Sequence, residues 1–165
     1  MARVSAHQPV LPSLLDRLID EDPSTPSDGH KTNSMLLQQM KEGVRRDLEN
    51  LLNTRLAHQY ELERHREVEE SVINYGLRDF SHIQFDSEDD RQKFRWTIAK
   101  LIEQFEPRLT RVQVDMVPVG EDYERTLYIK ITGMLLVEPD PIHMILDSRV
   151  KTIDRSLRLR ELNHG

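Results

Sequence analysis

Residues 94–116, FRWTIAKLIEQFEPRLTRVQVDM, decide the fold, because the period of the apolar residues changes inside them. Phe94, Ile98, Leu101, Ile102 and Phe105 recur at the spacing that lines one face of a helix. Val112, Val114 and Met116 then alternate with Arg111, Gln113 and Asp115, which is the period of a half-buried strand. Pro107 stands between the two patterns and pushes Glu106 out of helical geometry, so the helix ends there. A long helix feeding directly into a strand is the first half of the architecture.

Working towards the N-terminus, Ser87 with Asp90 three residues on is a variant of the capping box. Glu88, Asp89 and Asp90 complement the positive end of the helix dipole. Ser71-Val72-Ile73-Asn74-Tyr75-Gly76 reads as a brief helical turn closed by glycine. Residues 57–70, AHQYELERHREVEE, are charged with little apolar backing and read as an exposed connection. Leu37, Met40, Val44, Leu48, Leu51 and Leu52 form a second helical stripe, capped by Asn33 or Ser34 and ending near Leu52 to Arg55. Further upstream, Leu11, Leu14, Leu15, Leu18 and Ile19 repeat at helical spacing, with Pro12 suited to a first turn. The linker EDPSTPSDGHKTNS follows them. Such a short helix either folds back on the body or docks on another subunit. Residues 1–33 are thus a short helix and flexible linker, and 34–165 a single domain.

Towards the C-terminus, PVGEDYER supplies a hairpin loop. Leu127, Ile129 and Ile131 alternate in a returning strand, and Gly133 marks a bulge. Ile142, Met144 and Leu146 alternate again. In the tail, Leu157 and Leu159 lie between Arg155, Arg158 and Arg160. Helices first and strands after give an α+β fold, with N-terminal helices packed on one face of a small, mainly antiparallel C-terminal sheet. Such a sheet has edges whose unpaired backbone groups an incoming strand can complete. The tail with Arg155, Arg158 and Arg160 is the candidate edge, with a solvated, frayed terminus as the alternative.

Composition narrows the chemistry. The chain has 165 residues, no cysteine and a formal net charge of −6. That excludes thiolate catalysis and Cys-ligated metal, and disfavours generic nucleic-acid binding, which depends on neutralising phosphates. A mean hydropathy of −0.63 fits a small core with a large polar surface for protein partners. No signal peptide or membrane-spanning stretch is evident, so a soluble intracellular protein is expected. The histidines form no H-x-x-x-H pair; His58 and His65, seven apart, stand too far apart on a helix to share a metal. No P-loop, G-x-S-x-G or dinucleotide fingerprint occurs. No cofactor or metal is expected. Glu106 and Arg108 would project together if both are extended, and the guanidinium would favour the ionised carboxylate. A glycosidase acid needs a carboxyl kept protonated by apolar surroundings, so Glu106 suits an ion pair better than catalysis.

Four segments, in order, resemble the TssE family of type VI secretion. These are Leu14-Leu15-Asp16-Arg17-Leu18, Val44 to Arg55 (VRRDLENLLNTR), Ser71 to Leu77 (SVINYGL), and Phe105-Glu106-Pro107-Arg108-Leu109. The wider family includes a baseplate-wedge protein of contractile phage tails, historically labelled lysozyme-like. The resemblance implies a cytoplasmic structural subunit, held near the inner membrane by other subunits, with TssF, TssG and TssK as wedge partners. It implies that the first ring of TssB–TssC sheath assembles on a sheet edge, with Glu106, Pro107 and Arg108 associated with that step. Leu14, Leu15, Asp16, Arg17 and Leu18 are then expected to dock on the baseplate. The alternative is a peptidoglycan glycosidase, which needs two carboxylates across a cleft, about 5–9.5 Å apart.

Overall fold

The computed structural model describes residues 13–19, 24, 32–56, 66–69, 71–78, 87–118, 126–138, 140–151 and 157–162. Among the described residues four helices precede four strands: α1 (Leu14–Leu18), α2 (Asn33–Asn53), α3 (Arg66–Glu69), α4 (Glu88–Phe105), β1 (Leu109–Pro118), β2 (Thr126–Leu135), β3 (Ile142–Lys151) and β4 (Arg160–Glu161). A 3₁₀ turn at Val72–Asn74 lies between α3 and α4. The sheet is antiparallel throughout, in the order β1-β2-β3-β4. The expected α+β arrangement is the one observed.

The two helical stripes form the core as the periodicity predicts. Met40, Val44, Leu48, Leu51 and Leu52 of α2 are buried together with Phe94, Ile98, Leu101 and Ile102 of α4. The inward faces of the strands meet them with Leu109, Val114, Met116, Ile129, Ile131, Leu135, Met144 and Leu146. Burying such side chains is worth about 1.5–3 kcal/mol each relative to exposure, so these rows hold the layers together. Leu157 and Leu159 of the tail join the same core.

Two local expectations change, and a third is refined. The N-cap of α2 is Thr32, whose hydroxyl accepts from the Met35 amide at 3.4 Å; neither Asn33 nor Ser34 takes that place. Ser87 does occupy the N-cap of α4 but makes no side-chain capping bond, while Glu88 pairs with Arg91 and Arg95. The extra residue of the bulge lies in β1, between Thr110 and Gln113, and Gly133 is the β2 residue opposite it, itself in regular register with Met144 of β3. The reason is parity. Leu109 and Val112 are both buried, yet three apart, and period-2 alternation allows that only with one extra residue between them. Arg111 supplies it at φ 53°. Gly133 serves space: a Cβ there would lie 2.9 Å from the Leu109 side chain.

The turn at Ser71–Gly76 forms as expected. The Ser71 hydroxyl accepts from the Ile73 amide, and Gly76 closes the turn at φ 114°. Leu77 then donates its amide to Thr54 O at 2.8 Å and accepts from Leu56. The backbones approach so closely that a Cβ on Gly76 would lie 2.6 Å from Thr54 O. Of the charged stretch 57–70, residues 66–69 are the helix α3, and the rest lies outside the described residues. The loop at 119–125, most of the linker, and Leu11 and Pro12 lie outside them also.

Candidate functional site: a charged corner between three elements

Pro107 does more than stop α4. With α4 ended, Glu106 caps it at φ −123°, and a tight turn returns the Leu109 amide to Glu106 O at 3.0 Å. That turn folds Arg108 back over Glu106. The guanidinium donates through Nε to Oε1 at 2.7 Å and through Nη2 to Oε2 at 2.6 Å, while the Arg108 amide reaches Oε1 at 3.2 Å. The expected pairing is present, but a turn rather than strand alternation makes it. Glu106 is only 4% exposed, and this fork, with the amide, gives its carboxylate the donors a buried charge requires.

Arg108 also ties the corner to the helices. Nη2 reaches Asp47 Oδ2 of α2 at 2.5 Å, and Nη1 lies 3.6 Å from Asp16 Oδ2 of α1. Hydrogen bonding to Glu106, opposed by burial and reinforced by Asp47, pushes Arg108 up from its ordinary value. It is therefore a permanent cation. Tyr75 stands edge-on to Phe105, with ring centroids 5.3 Å apart. Burial, and then the charges of Asp47 and Glu106, push its hydroxyl up as well.

Asp16 is the second anchor. It is 3% exposed and accepts from Ser13 Oγ at 2.6 Å and from Arg46 Nη2 at 2.7 Å. Its backbone oxygen accepts from Gln39 Nε2 at 3.3 Å. Gly43 makes room, since a Cβ there would stand 2.8 Å from Asp16 Oδ2. Burial pushes the Asp16 carboxyl up, but the bonds from Ser13 and Arg46 and the charges of Arg46 and Arg108 outweigh it. The net position is below the usual carboxylate range. Leu14, Leu15 and Leu18 are 76%, 59% and 81% exposed. The short helix does fold back, yet by its aspartate, with its leucines outward.

Asp16 and Glu106 face inward, and each carboxylate is held by partners within the chain. Pro107, Arg17 and the three leucines are exposed. Sequence reasoning left Arg46, Asp47 and Gly43 unassigned; the signal was a glycine inside an otherwise good helix, which needs a packing reason. Three carboxylates do gather here, but they face two guanidiniums rather than a cleft. Among the described residues no cluster of His, Cys, Asp or Glu could hold a metal ion.

The tail does stand at a sheet edge, as β4 beside β3, and side chains of α2 meet part of it. Leu157 gives its amide to Asn53 Oδ1 at 2.7 Å and receives Asn53 Nδ2 at 2.8 Å. Leu159 gives its amide to Glu49 Oε1 at 2.7 Å, and its carbonyl accepts from Arg45 at 3.3 Å. Lys41 reaches Glu161 at 2.5 Å. Lys41, Arg45, Glu49 and Asn53 recur every four residues on one face of α2; Arg45, Glu49 and Asn53 hold the backbone of Leu157 and Leu159, and Lys41 holds the Glu161 side chain. Arg158 and Arg160 are exposed, and Arg155 lies outside the described residues. The strand at the other edge is β1, which pairs with β2 alone among the described residues.

No helix among the described residues is long and apolar enough to cross a membrane. No curated protein matches the chain in a sequence comparison. A family model, described as baseplate wedge protein gp25, matches residues 38–140. That span is more than half of the chain; it takes in the charged corner, β1 and β2, and stops short of α1 and β3. The chain therefore belongs to the baseplate wedge protein gp25 family and is a structural component of a phage-like contractile system, assembled with other baseplate components.

Proposed function

We propose that this chain is the TssE-like wedge subunit of a type VI secretion baseplate, joining TssF, TssG and TssK to the sheath and seeding polymerisation of TssB and TssC. The observation that carries the reading is β1. It is ten residues long, at the edge of the sheet, and begins at the corner that Glu106 and Arg108 brace. An edge strand offers a row of backbone donors and acceptors to foreign chain, and such rows template further strands. In this reading β1 is the template rather than the tail. The Glu-Pro-Arg turn sets where β1 leaves the helical layer, which makes it a positioning element for that edge. The outward leucines of α1 supply a separate contact with the wedge.

Seeding is testable with purified sheath subunits, whose polymerisation lag should shorten when this chain is added. Successive residues of a strand aim their amides at opposite edges, so one of Val114→Pro and Asp115→Pro removes an outward amide and spares the pairing with β2. That variant, identified by retained amide protection along β2 in hydrogen exchange, should fold and fail to seed. If it seeds as well as the parent, strand addition at β1 is wrong. Charge reversal at Glu106 or Arg108 is a poorer test, because it breaks a brace the fold itself uses.

A further inference from the structure

We propose that Asp16, by occupying Arg46, reserves Asp47 for Arg108, so that the seating of α1 sets the turn from which β1 starts. Among the described residues α1 is joined to the body through Asp16, since the other four residues of the helix are exposed. Two hydrogen bonds make the joint, from Arg46 Nη2 to the carboxylate and from Gln39 Nε2 to the backbone oxygen. A helix of five residues has too little hydrogen bonding of its own to stand alone. It is therefore ordered when seated and not when released.

Asp47 is the shared group. Its Oδ2 takes Arg108 Nη2 at 2.5 Å, while its Oδ1 lies 3.4 Å from both Nε and Nη2 of Arg46. The same Nη2 of Arg46 reaches Asp16 Oδ1 at 2.7 Å, so Asp16 has the closer hold and Asp47 the looser one. With α1 released, Asp47 is the carboxylate left within salt-bridge distance of Arg46 among the described residues. A guanidinium without its closer partner pairs with the remaining one, and Asp47 then divides its charge between two arginines. Arg108 loses a neighbour in the same event, because its buried Nη1 makes no hydrogen bond and stands 3.6 Å from Asp16 Oδ2.

Arg108 is where that loss becomes geometry. Its side chain forks onto Glu106, and its amide reaches Glu106 Oε1. Its carbonyl accepts the Leu136 amide at 2.8 Å, which ties the turn to the end of β2. A weaker hold on Asp47 frees the guanidinium, and with it the turn, from α2. The helix α1 and the head of β1 thus share one network of ion pairs with two arrangements, the kind of element through which separated sites are coupled. The coupling stands whether or not a foreign strand adds to β1.

Amide exchange of the full chain, read residue by residue, reports both ends at once. Arg17 and Ile19 report α1 through their bonds to Ser13 O and Leu15 O, and Leu109 and Leu136 report the turn. Asp16→Asn removes the charge and keeps the shape. Gly43→Ala displaces the carboxylate and leaves every charge in place. Each should lower protection at least tenfold in α1 and at least threefold at Leu109 and Leu136, with the amides that pair β2 with β3 unchanged. Asp16→Asn combined with Arg46→Met removes the competitor for Asp47 as well. There α1 should stay loose, while Leu109 and Leu136 return to within twofold of the parent. Loss confined to α1 in both single variants makes the helix a local appendage and overturns the proposal. A uniform loss across β2 and β3 makes Asp16 a general support of the fold and overturns it too. So does a turn that stays loose once Arg46 is replaced, since the relay then does not run through Asp47.

Discussion

Gly43 sits inside α2, where glycine costs about 1 kcal/mol relative to alanine. Gly43→Ala should therefore favour the helix, yet its new methyl would stand where the Asp16 carboxylate lies. The expected outcome has two signs. The denaturation midpoint holds or rises, while amide protection of residues 13–19 falls at least tenfold in hydrogen exchange. Loss of global stability with α1 still protected would contradict this account. The same carboxylate fixes a pH dependence. Its folded value lies below the ordinary one, so its stabilising contribution is complete above the unfolded value, near pH 3.9, and is lost as pH falls through the lowered folded value. Protection of residues 13–19 should stay flat from pH 8 to 5 and collapse only below about pH 4. Release near neutrality would mean that something other than Asp16 is titrating.

Among elements, the tail is the least ordinary, because helix side chains hold the backbone of Leu157 and Leu159. Asn53→Ala removes both the donor and the acceptor that Leu157 uses, and should cost about 1–3 kcal/mol while raising proteolytic cleavage near residue 157. Unchanged cleavage would show that burial of Leu157 and Leu159 suffices. The helices and strands were readable in sequence because Phe94 to Phe105 and Val112 to Met116 carry strong, opposite periods. The fork of Glu106 and Arg108 was readable for a local reason, a proline between two charges. The row Lys41, Arg45, Glu49 and Asn53 was not, since polar residues on the back of a helix look the same whether they face water or a strand. Asp16 was silent for a related reason: an aspartate amid leucines gives no sign that it, rather than they, packs against α2. The bulge had two signals, Gly133 opposite it and the three-residue spacing of Leu109 and Val112, and only the spacing tells which strand carries the extra residue.

At the scale of the molecule, the helical layer covers one face of the sheet, and side chains of α2 hold Leu157 and Leu159 beside one edge. Among the described residues β1, at the other edge, pairs with β2 alone and begins beside the charged corner. Leu14, Leu15 and Leu18 of α1 and Trp96 of α4 are apolar side chains left outside the core. The family match spans residues 38–140, while Asp16 lies outside it and two of its partners, Arg46 and Arg108, lie inside. The kink at Arg111 sets one more quantity. Beyond it, β1 keeps unbroken register from Gln113 to Pro118, and Pro118 has no amide to offer. Six residues at about 3.3 Å each give roughly 20 Å of straight rail. In the proposed addition at β1, a visiting chain longer than that would bend away at one end, and the irregularity would act as a ruler.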